Sequence, residues 1–356
     1  MRKEIGGQFW NINKRTGKAF NYEGTQEAIR FLYLGRGALS YIIQDIKIKY
    51  PYIDKVWMPA YCCESMIMPF TEQGIQVKFY EVIVEEAQGI TLKLPSCSGN
   101  EILYFMNYFG YEVNIGQKNL LDKGTVLIED CTQSYLSKKI LPLFTERSYS
   151  FASLRKWTGF SGLAIVYCHD SAFQNKIELE TAWKYDKMFQ EASTIKYEYL
   201  NGGNIDKNDF WNIYKQAEQM FNADYRNYKP TEDEIAGYGE WDKPYDAAIR
   251  RRNAAILSEI IKDIEGIKMI YTNVDSAITP MYMPVLVEKE VREKLVRFLI
   301  QRHIYCPVHW PLGKLNDNAY VKAKTLYDKE ISLVCDQRYG EADMISIGEA
   351  IKEFFR

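Results

Sequence analysis

Hydrophobic positions in the first 170 residues switch between two periods. In 37–48 (GALSYIIQDIKI), Leu39, Ile42, Ile43 and Ile46 fall at i, i+3, i+4 and i+7, which predicts an amphipathic helix. Residues 55–58 read as a short strand stopped by Pro59, and 62–73 as a helix stopped by Gly74. Alternating or continuous apolar runs predict strands at 75–80, 102–109, 126–128, 149–152 and 163–167. Strands and helices alternating at this pitch predict βαβ units and a mainly parallel sheet.

The pattern then changes. Residues 171–245 are charged and aromatic, with helical spacing at 172–195 and 209–225 and a turn-rich NYKPTEDE after them. A helix at 246–264 with Arg250, Arg251 and Arg252 on it, a strand at 281–287, and helices at 291–302 and 344–355 make an α+β tail. The expected division is a large domain over 1–240 and a smaller C-terminal α+β domain over 241–356. A length of 356 residues accommodates both.

Composition narrows the function classes. With 47% hydrophobic and 26% charged residues the chain reads as globular. Its net charge of -2 provides no overall basic field for nucleic acid or an anionic membrane. Any anion must therefore be held by a local site. No stretch is long and apolar enough for a membrane span, and MRKEIGGQFW has no apolar leader core. The 7 cysteines are odd in number and form no CxxC pair, and there are 3 histidines, so no metal site is expected. Reduced thiols and a cytoplasmic location follow as expectations.

Four features fall where strands of a parallel sheet end, the usual place for ligands. Gly35-Arg36-Gly37-Ala38 opens the helix at 39, where unpaired N–H groups and the helix dipole suit a phosphate. Arg36 could add a charge-assisted bond. The same residues also read as a simple glycine turn. Asp130 ends an apolar strand in IEDCTQS, where it reads either as a helix cap with Gln133 or as the anion that keeps a heteroaromatic nitrogen protonated. Lys156, in SYSFASLRKWTGFSG, sits among aromatic and apolar residues that favour a reactive amine, or it is a surface lysine. Ser150 and Ser153 precede it, and either hydroxyl could hold an anion. His309, in IYCPVHWPL, is a packed residue or one that faces the sheet across a cleft. A phosphate cradle, an aspartate and a lysine in that order are the parts of a pyridoxal 5'-phosphate site.

The pieces FLYLGRGALSYII, VWMPAYCCESMIMPF, LYFMNYFGY, VLIEDCTQSYLS, SFASLRKWTGFSG, RRRNAAIL, IYCPVHWPL and VCDQRYGEADM follow one another in an order that resembles the DegT/DnrJ/EryC1/StrS sugar aminotransferases. The resemblance runs from about residue 31 through most of the chain. It implies an α/β fold of three layers, the fold type I of PLP-dependent transferases, with a smaller C-terminal α+β domain. It implies pyridoxal phosphate bonded to Lys156, with Asp130 at the pyridine nitrogen and Gln133 near the ring hydroxyl. Tyr61 or Cys63 would lie against the ring, and Ser153, rather than Ser150, would hold the phosphate. Arg36, His309 and Arg338 become candidates for substrate contacts. The implied reaction moves an amine from an amino-acid donor, glutamate or glutamine, to a keto-sugar acceptor, with nucleotide-linked sugars included. A homodimer is implied, since sites of this fold are usually shared by two subunits.

The chain departs from that group in three places. Gly35-Arg36-Gly37 replaces the usual Gly-Thr or Gly-Ser pair, the lysine segment carries one extra residue, and the glycine run after the lysine is reduced to GFSG. Two other readings stay open: a PLP-dependent sugar dehydratase or lyase, and a non-catalytic binding protein that keeps the fold. In some dehydratase relatives a histidine replaces the lysine, so Lys156 favours transfer.

Overall fold

The computed structural model describes residues 4–10, 26–115, 122, 124–137, 147–170, 172–272, 276–310 and 318–356. The leading stretch in which no leader was read lies mostly outside them.

Nine strands form the main sheet. In chain order they are β1 (Ile29–Leu32), β2 (Lys55–Pro59), β3 (Gln76–Glu85), β4 (Gly89–Lys93), β5 (Glu101–Met106), β6 (Asn114–Ile115), β7 (Val126–Asp130), β8 (Arg147–Ser153) and β9 (Ala164–Cys168). Their order across the sheet is β1-β9-β8-β7-β5-β2-β3-β4-β6. The central run from β8 through β7, β5 and β2 to β3 is parallel. Strand β9 runs antiparallel to both β8 and β1. Strand β5 is buried at every residue, as expected of a strand covered on both faces.

Helix α1 (Gly35–Lys49) packs its Leu39, Ile42, Ile43 and Ile46 into the main core, as their spacing predicted. Helix α2 (Glu64–Thr71) lies against α1 and β3. The expected helix at 172–195 starts later: α3 spans Trp183–Leu200 and pairs with α4 (Lys207–Ala223). The delay has a local cause. The extended segment before α3 includes Glu180–Thr181, which pairs with Tyr228–Lys229, and Asp45 holds the Gln174 and Asn175 N–H groups. The turn-rich piece closes into α5 (Glu232–Gly239), capped by the Thr231 hydroxyl.

Helix α6 (Lys243–Ile261) follows, with α7 (Lys289–Gln301), α8 (Asn318–Lys329) and α9 (Glu341–Phe355). A small antiparallel sheet joins β10 (Ile267–Met269), β11 (Met283–Val287) and β12 (Glu330–Leu333). Its apolar cluster runs from Ala254 to Ile351 and also takes in Ile5 from the start of the chain. Ile5–Gly6 pairs in parallel with Ile304–Tyr305. Helix α8 goes the other way: Ala323, Leu326 and Tyr327 belong to the core of the main sheet. Arg250 of α6 is buried and bonds the carbonyls of Met281 and Trp157, so it is a tie between segments.

Among the described residues no helix is long and apolar enough to cross a membrane. All seven cysteines are free.

Candidate active site

The carboxyl ends of β5, β7 and β8 stand side by side, and register places Asp130 between Met106 and Phe151. All three side chains line a cavity of about 290 Å³. Gly35, Arg36, Cys63, Gln133, Ser153 and Lys156 line the same cavity. Residues far apart in sequence therefore converge because parallel strands deliver their ends to one edge.

Asp130 is 5% exposed and is oriented at both oxygens. Its Oδ1 accepts the Thr132 N–H at 2.7 Å, and its Oδ2 accepts the Tyr104 hydroxyl at 2.6 Å. Gln133 Oε1 accepts the Phe109 N–H at 2.7 Å, which fixes the amide and leaves its NH₂ as the free donor. Thr132 ties the two strand ends together: its hydroxyl accepts the Ser153 N–H and its carbonyl accepts the Trp157 indole.

Lys156 ends a single 3₁₀ turn, Leu154–Lys156, directly after β8. Leu154 and Trp157 on either side of the turn are fully buried, which leaves Lys156 exposed in the cleft. Its amine makes no hydrogen bond or ion pair to the described residues.

Helix α1 begins with no side-chain cap, because Leu34 occupies the N-cap position. Its first N–H groups are left for water or a ligand. A side chain on Gly35 would put its Cβ 3.1 Å from Ser153 Cβ, so the glycine lets the helix end and the serine close on one space. Gly37 has a different task. A Cβ there would meet the Tyr225 carbonyl at 2.9 Å. Arg36 donates to Asn222 Oδ1 at 2.8 Å and lies over the Tyr225 ring.

Other expected site residues lie elsewhere. Ala38 is fully buried and its N–H is already bonded to the Leu34 carbonyl, so it offers nothing to a phosphate. Ser150 sits on the opposite face of β8 from Ser153, an odd number of residues away, and its hydroxyl bonds His169 at 2.7 Å. Tyr61 is fully buried in an aromatic cluster with Tyr108, Tyr327 and Trp310, and its hydroxyl bonds the His309 carbonyl. Cys63 is the member of that pair that reaches the cavity.

His309 does not line this cavity. Its ring packs on Phe109 and Tyr282, and its Nδ1 bonds Ser332 at 2.8 Å. Burial, and then the Lys156 charge, push its pKa down to about 3, so the ring is neutral at working pH. Arg338 is not a free cation. Asp336 grips it at Nε and Nη2, each at 2.8 Å, and its remaining reach goes to the Gly7 and Gln8 carbonyls.

Among the lining residues that escaped the sequence reading are Arg155, Glu218, Asn222 and Trp310. Arg155 pairs with Glu218 of α4 at 3.0 Å, and Asn222 comes from the same helix. No motif marks α4, because its contribution depends on how it folds back over the strand ends. Trp310 directly follows His309 and could have been read from the same piece.

Arg155 and Lys156 also line a second, larger cavity of about 860 Å³. Its other walls come from residues 4–9, α3, α4 and the C-terminal part of the chain.

No protein-family profile and no curated protein matches the chain. Solved structures do. A protein from Streptococcus pneumoniae assigned as a sugar aminotransferase, in its PLP form, superposes with a TM-score of 0.63 at 12% identity, covering 99% of this chain and 98% of that one. The aminotransferase TlmJ from Streptoalloteichus hindustanus gives 0.61 at 12% identity, covering 92% and 86%. The sugar aminotransferase CalS13 from Micromonospora echinospora gives 0.58 at 13% identity, covering 91% and 87%. The chain thus shares the fold of sugar aminotransferases of the DegT/DnrJ/EryC1/StrS type, a mixed α/β fold built on a large, parallel-rich sheet.

Proposed function

We propose that the chain is a PLP-dependent aminotransferase that moves an amino group from an amino-acid donor to a keto-sugar. One observation carries the reading: Gly35, Asp130, Gln133, Ser153 and Lys156, from three separate segments, line one cavity at the strand ends. The cavity also fits the cofactor. Its volume of about 290 Å³ lies at the small end of ligand sites, and the missing side chain of Gly35 keeps open the space beside Ser153, where a Cβ would sit 3.1 Å from the serine Cβ.

The first N–H groups of α1, the Ser153 hydroxyl and Arg36 would hold the phosphate. The Asp130 carboxylate, kept in place by Thr132 and Tyr104, would accept the pyridine N–H. The Gln133 NH₂ would donate to the ring hydroxyl. Pyridoxal phosphate, when bound, supplies an electron sink that stabilises a carbanion beside the amine being moved. Lys156 Nζ would carry the covalent link and, once released, would take the proton from the amine-bearing carbon of the donor in one half-reaction and return one to the acceptor carbon in the other. Arg155 would meet the donor carboxylate, with Glu218 setting the angle of its guanidinium.

We also propose that the working assembly is a cytoplasmic homodimer, and that the chain divides near residue 240.

The test is direct. Purified protein supplied with pyridoxal phosphate should turn yellow, and borohydride should fix the label on Lys156. Glutamate should then bleach the colour, and a keto-sugar should restore it with net transfer of the amine. A label on another lysine, or no colour at all, overturns the reading. Elimination without net transfer assigns the site to a lyase instead.

A further inference from the structure

The larger cavity contains a cation that the proposed transfer does not use. Lys196, on α3, is 5% exposed. Its amine donates to the Gln8 carbonyl at 2.5 Å, its one acceptor among the described residues. It lies over the rings of Trp10 and Phe210. Of the other cations that line the cavity, Lys207 has Glu4 at 2.7 Å, Arg338 has Asp336 at 2.8 Å and Arg155 has Glu218 at 3.0 Å, while Lys156 is the amine the transfer uses. Lys196 has none among the described residues. A buried ammonium without a counter-charge is costly, and the cost is relieved either by losing the proton or by gaining an anion. The wall also carries aromatic rings, Phe210, Trp211, Tyr214 and Tyr305 among them. Flat rings of this kind favour a ring-shaped body over an extended chain.

We propose that the larger cavity is the acceptor's binding site, and that Lys196 seats a carboxylate or phosphate carried on that ring-shaped acceptor. The proposal rests on the reading of Lys156 as the amine-moving residue, because Lys156 stands where the two cavities meet. It adds a charge requirement that the transfer chemistry does not impose.

Linkage gives the proposal a signature. Burial first, and the nearby Arg338 charge next, bring the Lys196 pKa down to about 7, with Lys207 acting in the same direction and Glu4 and Asp336 opposing. A bound anion favours the charged amine. Binding should therefore take up a proton, little at about pH 6 and close to one at about pH 8.

Benzoate, phenyl phosphate and neutral benzamide are suitable probes, titrated calorimetrically into the protein with and without pyridoxal phosphate. Benzoate or phenyl phosphate should bind at least about tenfold more tightly than benzamide. Whichever anion is preferred identifies the group. With benzoate, which does not itself titrate in this range, heats in two buffers should show the proton uptake. Lys196→Met should remove the preference and the uptake, and Lys196→Arg should keep the preference. Equal binding of benzoate and benzamide by the parent protein overturns the proposal. So does unchanged benzoate binding in Lys196→Met. If Lys196→Met fails to fold, Lys196→Arg decides: it must keep the preference but lose the proton uptake, since arginine stays charged. Labelling of Lys156 is scored separately, so a protein that binds benzoate through Lys196 but takes no cofactor defeats the aminotransferase reading alone.

Discussion

His309 and Glu330 are joined through one hydroxyl. Ser332 Oγ donates to Glu330 Oε1 and lies 2.8 Å from His309 Nδ1, while Glu330 Oε2 accepts the His309 backbone N–H at 2.9 Å. Ser332 thus bridges the ring to the carboxyl group.

This pair gives stability two opposite pH slopes. Burial raises the Glu330 pKa to about 8. The folded protein keeps a proton that the unfolded chain releases above about 4.3, so this contribution falls as pH rises and levels off above about 8. His309 is depressed to about 3, so the unfolded chain takes up a proton below about 6.5 that the folded ring refuses, and this contribution falls as pH drops. Between about pH 6.5 and 8 Glu330 is the member of the pair that acts. We expect Glu330→Gln to flatten the decline there, by at most about 1.4 kcal/mol per pH unit. Urea unfolding at a series of pH values checks it. An unchanged slope would mean that Glu330 is ionised in the folded protein.

Ser150 and Ser153 should separate cleanly. Ser153→Ala should weaken pyridoxal phosphate binding by about 10- to 100-fold, the range for a hydrogen bond to a charged group. Ser150→Ala, on the other face of β8, should change it by less than about twofold. Absorbance titration of the two variants reads both, and a reversed order would move the phosphate off the α1 end.

Gly110 should tolerate no side chain. Its φ is +94, and an added Cβ would lie 2.2 Å from the Thr279 carbonyl. The same turn carries the Met281 N–H to the Phe109 carbonyl and the Ser137 hydroxyl to Gly110. We expect Gly110→Ala to cost about 2 kcal/mol or more. Thermal melting within a degree or so of the parent would show that the turn can relax.

Gly35→Ala should affect binding more than folding. The new Cβ would press on Ser153 at 3.1 Å, in the space assigned to the phosphate. We expect weaker retention of pyridoxal phosphate with the melting temperature nearly unchanged. Full retention would remove the cradle from the argument.

The periodic parts of the fold were legible. Leu39, Ile42, Ile43 and Ile46 placed α1, and apolar runs placed the central strands, because burial there follows local spacing. β1 and β12 were not legible, since each is four residues long and takes its partner from a distant segment. The site divides in the same way. Asp130, Gln133, Ser153 and Lys156 stand at strand ends that the sequence announces. Glu218 and Asn222 reach the cavity through the return of α4, which no residue spacing encodes. Ser150 and Arg338 show a limit of sequence: residue type shows what a side chain can bind, and only the folded chain shows that His169 and Asp336 already hold it.

The opening segment has a practical consequence. Gly6 bonds Tyr339, Gly7 and Gln8 occupy Arg338, and Gln8 also receives Lys196. Residues 4–9 are thus masonry of the larger chamber. An affinity tag fused ahead of Glu4, or a protease nick before Phe9, would disturb ligand measurements without touching any residue of the chemistry. Handles for purification or immobilisation belong at the Arg356 end.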